Sequence, residues 1–251
     1  MTIDSKIKKW IGSLSGFQGG NPNAVIWFCG IEFQQFNKDF DEALKHNKYW
    51  TVDNPPYIEV LDDSHLKEPF NISMIKLAET YFERNFTQEE IRNIFSRKSN
   101  IFKMNLYPLP QVRSGEDYPK EISDLVKIQN KEKLREICEE EGNRFDLFKR
   151  LLDEHKTNVK AIICCSRMNL ETYVKAFEMS EKVEETLKKL EVRHRINEKN
   201  KYLSHCKLSN GINLFVIPFL SGHPRYTLTS KDFADIIWIG NEIKEIVKKN
   251  S

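Results

Sequence analysis

The feature that most restricts the fold is a set of four short apolar runs bounded by polar residues. They are AVIWFC at 24–29, IFKMNL at 101–106, VKAIICC at 159–165 and INLFVIPF at 212–219. Each is brief and rich in branched or aromatic side chains, which predicts a strand. The first, third and fourth are apolar almost without interruption. A strand with one face in water alternates apolar and polar residues; one that does not alternate is covered on both faces, the condition of a strand inside a parallel sheet.

Amphipathic, charge-flanked patterns lie between and after the strands, at 73–85, 87–96, 131–140, 144–155, 169–190 and 231–249. The first repeats apolar residues at Met74, Ile75, Leu77, Ala78, Tyr81 and Phe82, the last at Phe233, Ile236, Ile237, Ile239, Ile243 and Ile246, each a helical stripe. Strands alternating with helices predict an α/β protein: a three-layer αβα sandwich with a central, mainly parallel four-stranded sheet. No repeat or low-complexity linker divides the 251 residues, so 1–251 read as a single domain. Two segments read as elaborations. Residues 38–69, rich in Tyr, Trp, Asp and Pro, read as a long irregular loop. Residues 181–201 read as a charge-dense helical arm in solvent, ending in a modest basic patch, RHRINEKNK.

Lys and Arg number 39 against 37 Asp and Glu, a net charge of +2. That balance neither marks a nucleic-acid binder nor excludes one, because a local patch decides. No run approaches the ~20 apolar residues of a membrane span, and the opening twenty residues lack the apolar stretch of a secretory signal. These features predict a cytoplasmic protein with no membrane contact, read here as a monomer. The five cysteines, Cys29, Cys138, Cys164, Cys165 and Cys206, show no C-x-x-C spacing. Cys29, Cys164 and Cys165 lie within strand runs and read as packing. No metal or other cofactor is expected, and no G-x-S-x-G, Walker loop or G-x-G-x-x-G occurs.

Ligands of an open parallel sheet bind beyond the carboxyl ends of its strands. Those ends read CGIEFQQF, MNLYPLP, CCSRMN and SGHPRYT. They bring Gly30 with Glu32, Asn105, Ser166 and His223 toward one edge, so a carboxylate, an amide and an imidazole form one constellation. Each also has an ordinary structural reading. Glu32 can cap a helix, Asn105 can bond backbone at a strand end, and His223 can simply occupy a turn.

The order of these motifs resembles the uracil-DNA glycosylase superfamily. Gly30-Ile31-Glu32 is similar to its first loop, and Pro69-Phe70 in KEPFNISMIKLAE to its Pro-Phe before a helix. IFKMNLYPLPQVRSGEDYPKEI is similar to the strand carrying a base-reading Asn, NVKAIICCS to the third strand, and His223-Pro224 to the last loop. Together they span residues 24–245. The resemblance implies a DNA glycosylase that flips a damaged or modified, uracil-like base from single- or double-stranded DNA and hydrolyses its N-glycosidic bond without a cofactor. It implies that Glu32 orients water and stabilises the sugar cation, and that His223 donates to the departing base. Asn105 then reads the base edge, Phe70 stacks on it and Phe33 lines its pocket, whereas Phe70 is otherwise a core aromatic. Gly30, Arg113, Pro224, Arg225 and Tyr226 contact the DNA. The first loop departs from the family, continuing Glu-Phe-Gln-Gln in place of a proline and a second glycine or tyrosine, and Arg225 replaces a serine. These departures support a second reading: a protein of the same fold without catalysis that binds nucleic acid or a nucleotide.

Overall fold

The computed structural model describes residues 19–30, 69–108, 120, 123–124, 128–140, 143–165, 170–195, 198–218 and 233–250. Its strands are β1 (Gly19–Gly20), β2 (Ile26–Gly30), β3 (Ile101–Asn105), β4 (Ala161–Cys165), β5 (Glu191–Arg195), β6 (Glu198–Lys207) and β7 (Asn213–Ile217). The four apolar runs supply β2, β3, β4 and β7, in which every residue is buried. These four form a continuous parallel tract in the order β3-β2-β4-β7.

The protein is α/β, but among the described residues its sheet has seven strands, in the order β1-β3-β2-β4-β7-β6-β5, not the four expected. The additions are antiparallel: β1 on β3, β6 on β7 and β5 on β6. A Gly-Gly pair is too short to show a pattern, which hid β1. The β5–β6 hairpin was hidden by its charge. The segment expected as a helical arm instead gives a 3₁₀ turn at Ser180–Lys182, a short helix and then the hairpin. A strand recruited by an existing ladder is ordered by backbone pairing, so it needs no apolar stripe of its own.

The helices are α1 (Pro69–Phe82), α2 (Gln88–Arg92), α3 (Lys131–Glu139), α4 (Arg144–His155), α5 (Leu170–Phe177), α6 (Val183–Lys188) and α7 (Ala234–Asn250). Pro69 opens α1 where its missing N–H is no loss. Thr87 and Glu90 form a reciprocal capping box on α2. Helices cover both faces of the sheet. α1 and α7 pack on Ile26, Phe28, Ile101, Ile163 and Phe215. α3, α4 and α5 pack on Trp27, Phe102, Met104, Ile162 and Leu214. Gly240 lets α7 lie close against α1, since a Cβ there would stand 2.8 Å from Cβ of Thr80.

The single helix expected over 169–190 stops at Phe177 because the next residue, Glu178, is a buried junction. Its carboxylate accepts from Met179 N, Thr186 Oγ1, Ser209 N and Ser209 Oγ, joining the end of α5 to α6 and to the turn before β7. Each oxygen takes one backbone N–H and one hydroxyl. A glutamine must therefore aim its NH₂ at a backbone N–H in either orientation, whereas a hydroxyl can rotate. Glu178→Gln is expected to lose about 1–3 kcal/mol of stability, seen as a lower urea midpoint with an unchanged slope.

On β6, His205 Nε2 lies 3.0 Å from Asn213 Oδ1, which also accepts from Asn250 Nδ2 at 2.9 Å. The Asn213 amide donates in turn to the Lys160 carbonyl, so its oxygen is the acceptor and His205 carries its proton on Nε2. The ring stacks on Phe215. Burial holds its pKa below the ordinary 6.5, against an opposing hydrogen bond to Asn213, with Glu191, Arg193 and Lys207 facing it. The unfolded state therefore binds more protons as pH falls through 6.5 toward the folded pKa. The stability that neutral His205 supplies above that range is lost there on acidification. The melting temperature of the native protein should fall more steeply below pH 6.5 than that of His205→Gln; parallel profiles would refute the assignment.

Candidate functional site

Counted along the chain, the parallel strands lie in the order second, first, third, fourth. The direction of crossing reverses between β2 and β4, and ligands of such sheets bind outside the carboxyl ends at that switch. Gly30, Asn105, Cys165 and Ile217 end the four strands there.

β3 departs from the uniformly apolar pattern of its neighbours. Phe102 and Met104 join the core under α3–α5, while Ile101 joins the core under α1 and α7. By strand alternation Lys103 and Asn105 share the α1 face with Ile101. Both are buried, at 5% and 3% exposure. Asn105 pairs in register with Gly30, and a Cβ built on Gly30 would collide with Oδ1 of Asn105. Gly30 is therefore the residue that lets the Asn105 amide lie across the end of β2.

Lys103 is held under the start of α1. Its Nζ lies 3.3 Å from Oδ1 of Asn71, 4.2 Å from the ring centre of Phe70 and 5.2 Å from that of Phe95. Such ammonium–ring contacts contribute ~0.5–2 kcal/mol, more as water is excluded. Phe70, the second residue of α1, is half-buried.

The backbone of the same strand end is held from the other face. Arg144, first residue of α4, is fully buried; its Nε donates to the Leu106 carbonyl at 2.7 Å and its Nη2 to the Asn105 carbonyl at 3.1 Å. Burial lowers its pKa to about 10, so it stays charged at neutral pH. A cation in the first turn of a helix opposes the dipole; charge-assisted bonds to two strand carbonyls offset that. Nearby, Tyr107 donates to Glu139 Oε1 at 3.3 Å, and burial, followed by the Glu139 charge, holds its phenol protonated far above the usual range.

Cys29 and Cys164 are in register across β2 and β4. Burial and a hydrogen bond with Cys29 push the Cys164 thiol well up, burial raises Cys165, and burial pushes Cys206 to about 12. Protonated, buried thiols are poor nucleophiles. Among the described residues no group of three or more His, Cys, Asp or Glu is arranged to hold a metal ion. No helix among them is long and apolar enough to cross a membrane.

Gly30, Phe70 and Asn105 lie together on the α1 side of this edge. Glu32, Phe33, Arg113, Ser166, His223, Pro224, Arg225 and Tyr226 lie outside the described residues, as does 38–68 of the expected loop. A cavity of about 520 Å³ lies at the opposite end, before β3, walled by Phe86, Thr87, Asn93, Ser99 and Asn100 among others. Its Glu90 is engaged with Arg84 and the Thr87 cap, a structural arrangement remote from Asn105.

Sequence reasoning missed Lys103, Asn71 and Arg144. The first had a readable signal. In IFKMNL every second residue is fully apolar, so Lys103 and Asn105 fall on one face together. Arg144 had a weaker one, a cation where a helix start favours an acid.

Comparison with protein-family models, with curated proteins and with solved structures finds no match.

Because Gly30 and the Asn105 amide occupy adjoining space, their substitutions should couple. Gly30→Ala is expected to destabilise the protein by about 1–3 kcal/mol. In a protein already carrying Asn105→Ala the same change should cost distinctly less, a coupling of roughly 0.5 kcal/mol or more in urea unfolding. Strict additivity would mean the two groups do not share that space.

Proposed function

We propose that this protein is a DNA glycosylase that flips a damaged or modified, uracil-like base and hydrolyses its N-glycosidic bond. The observation that carries the reading is the Asn105 amide lying across Gly30, on the same side of the strand end as Phe70. The resemblance of the motifs to the uracil-DNA glycosylase superfamily supports it, as does the collection of four parallel strand ends on one edge. The three-layer αβα sandwich belongs to this reading, the helices on both faces supporting it and the antiparallel strands extending it at its edges.

In this reading the chemistry divides as follows. Leaving of the base makes the sugar cationic and the base anionic, so negative charge is needed near the sugar and donors at the base. Glu32 orients or deprotonates the attacking water. His223 donates to a base oxygen as its charge grows. Asn105 offers a donor and an acceptor in one plane, and rejects a base that leaves either unpaired. Phe70 and Phe33 replace the stacking lost on flipping. Gly30, Arg113, Pro224, Arg225 and Tyr226 meet the DNA backbone and the gap left in the duplex.

The second reading is a binding protein of the same fold, for nucleic acid or a nucleotide, without catalysis. Arg225 in place of the family's serine and the Glu-Phe-Gln-Gln first loop favour it.

Labelled single- and double-stranded oligonucleotides carrying uracil, hypoxanthine, or hydroxymethylated or glucosylated cytosine separate the two. The glycosylase reading expects alkali-labile breaks at one of these bases. It expects losses on the order of 10²–10⁴-fold in Glu32→Gln and His223→Ala, and a loss in Asn105→Ala specific to base choice. DNA retarded in a gel with no breaks selects the second reading. Neither breaks nor retardation rejects both.

A further inference from the structure

The β5–β6 hairpin carries most of the basic stretch RHRINEKNK, which the proposed chemistry leaves unused, to the same edge of the sheet. β6 runs antiparallel to β7, and the last pair between them is Ser204 with Val216. One step on, Leu203 stands level with Ile217, the carboxyl end of β7, and pairs on its other side with Arg193 of β5. His194 and Arg195 of β5, and Tyr202 back to Glu198 of β6, therefore lie past that end. The root of the hairpin is fixed. Leu203 is fully buried in the core under α1 and α7, and Arg193 Nη1 donates to Glu242 Oε2 of α7 at 2.8 Å. Beyond the root the ladder slips. Tyr202 pairs with His194, yet Glu198 pairs with Arg195, so Lys199, Asn200 and Lys201 are set against a single step of β5. Extra residues on one strand make a bulge, and bulges are over-represented at sheet edges and beside active sites. From Arg193 to Arg195 the ladder advances about 7 Å past β7, at ~3.4 Å per residue.

Resting on the glycosylase reading, we propose that this projecting bulge is a second contact with DNA. In it Arg195, Lys199 and Lys201 meet phosphates flanking the flipped nucleotide. The projecting strands hold these three cations against one acid, Glu198, within seven residues of sequence, and a polyanionic backbone is the partner such a cluster fits. Contacts to phosphate position a protein on its strand and carry no base preference. The bulge therefore supplies affinity and register, and base choice stays with Asn105. The two are well separated. β6 lies four strands from β3 in the sheet order, about 19 Å at the usual strand spacing, so one end of the edge reads the base and the other holds the flanking backbone. β6 is also the neighbour of β7, the strand that His223-Pro224 follows in the sequence.

The test measures binding to a duplex carrying one uracil over a range of salt concentrations, with strand breaks scored in the same samples. Each phosphate contact given up lowers the slope of log affinity against log salt by roughly 0.9. The triple variant Arg195→Gln, Lys199→Gln, Lys201→Gln is expected to lower it by about two to three. Its affinity then falls roughly 40-fold less than the native protein's between about 50 and 200 mM salt. Arg195→Lys with Lys199→Arg and Lys201→Arg keeps the charge and should keep the native slope. Lys98→Gln with Lys156→Gln and Lys160→Gln removes the same formal charge from exposed positions before β3 and β4, at the opposite end of the sheet. It should change the slope by less than about one. Melting temperatures accompany every variant; if the hairpin triple does not fold, its three single substitutions decide, each expected to lower the slope by roughly one. Equal effects from the two neutralised triples, or none from the hairpin, overturn the contact, and breaks made by the native protein then leave the glycosylase reading standing. A hairpin variant that self-associates with its slope unchanged also overturns it, and marks the charges as a guard on the edge strand. Binding without breaks, with the slope lowered in the hairpin variant alone, keeps the contact and selects the non-catalytic reading. Native protein that neither cuts nor binds overturns the contact together with the glycosylase reading.

Discussion

The constraint on which the structure depends is that β2, β3, β4 and β7 bury every residue on both faces. Each large side chain fully removed from water contributes ~1.5–3 kcal/mol, and Trp27, Phe28, Phe102 and Phe215 are all of this kind. Helices must then lie on both sides, and α1 with α7 on one and α3–α5 on the other do so. A sheet covered this way has no face to offer a ligand. What it can offer is the edge where its strands stop, where backbone groups emerge and loops of any length can be attached. The antiparallel additions at the two sides widen the sheet without changing that geometry.

The polar side chains on this buried tract and around its margins therefore carry information, because those that are buried had to be accommodated in a medium that penalises them. They fall into two kinds. Glu178 and the His205–Asn213–Asn250 group engage backbone and side-chain groups that tie helices and turns to the sheet margin, and their partners account for their positions. Lys103 and Asn105 differ in placement. They stand on a central strand, at its carboxyl end, with Phe70 and Asn71 of α1 above them and Arg144 bonding the backbone from beneath. Buried ionic groups are weak contributors to stability. An arrangement that fixes one strand end from both faces makes sense as a means of holding the Asn105 amide in one orientation.

Most of the framework was legible because its signal is local. Uninterrupted apolar runs identify two-face burial, and the stripes of α1 and α7 identify their core sides. The helix expected over 169–190 failed because Glu178, a charged residue in a charged stretch, looked like surface, while its burial depends on Ser209, thirty-one residues away. The β5–β6 hairpin failed because Arg193 finds its partner in Glu242 of α7, a pairing no window of sequence contains. At the site, Asn105, Gly30 and Phe70 were readable as strand-end and helix-start residues. That Gly30 serves to admit the Asn105 amide was not, since register between β2 and β3 is a property of the folded sheet.

Charge bears on how such a site would meet DNA. The net charge of +2 gives little long-range attraction. Several cations on the described surface are already engaged with carboxylates: Arg84 with Glu90, Lys133 with Glu136, Lys175 with Glu171, Arg193 with Glu242 and Lys244 with Glu83. Exposed pairs of this sort contribute little to folding, but each diminishes the positive field a phosphate would feel. Under the proposed reading, affinity for a duplex would have to come from a few cations, and in the sequence Arg113 follows β3 and Arg225 follows β7. On that reading the binding would show a shallow salt dependence, because few counterions would be released. A glycosylase of that kind would gain more from capturing a flipped base than from gripping the helix, which would favour nucleotides already unpaired or weakly stacked.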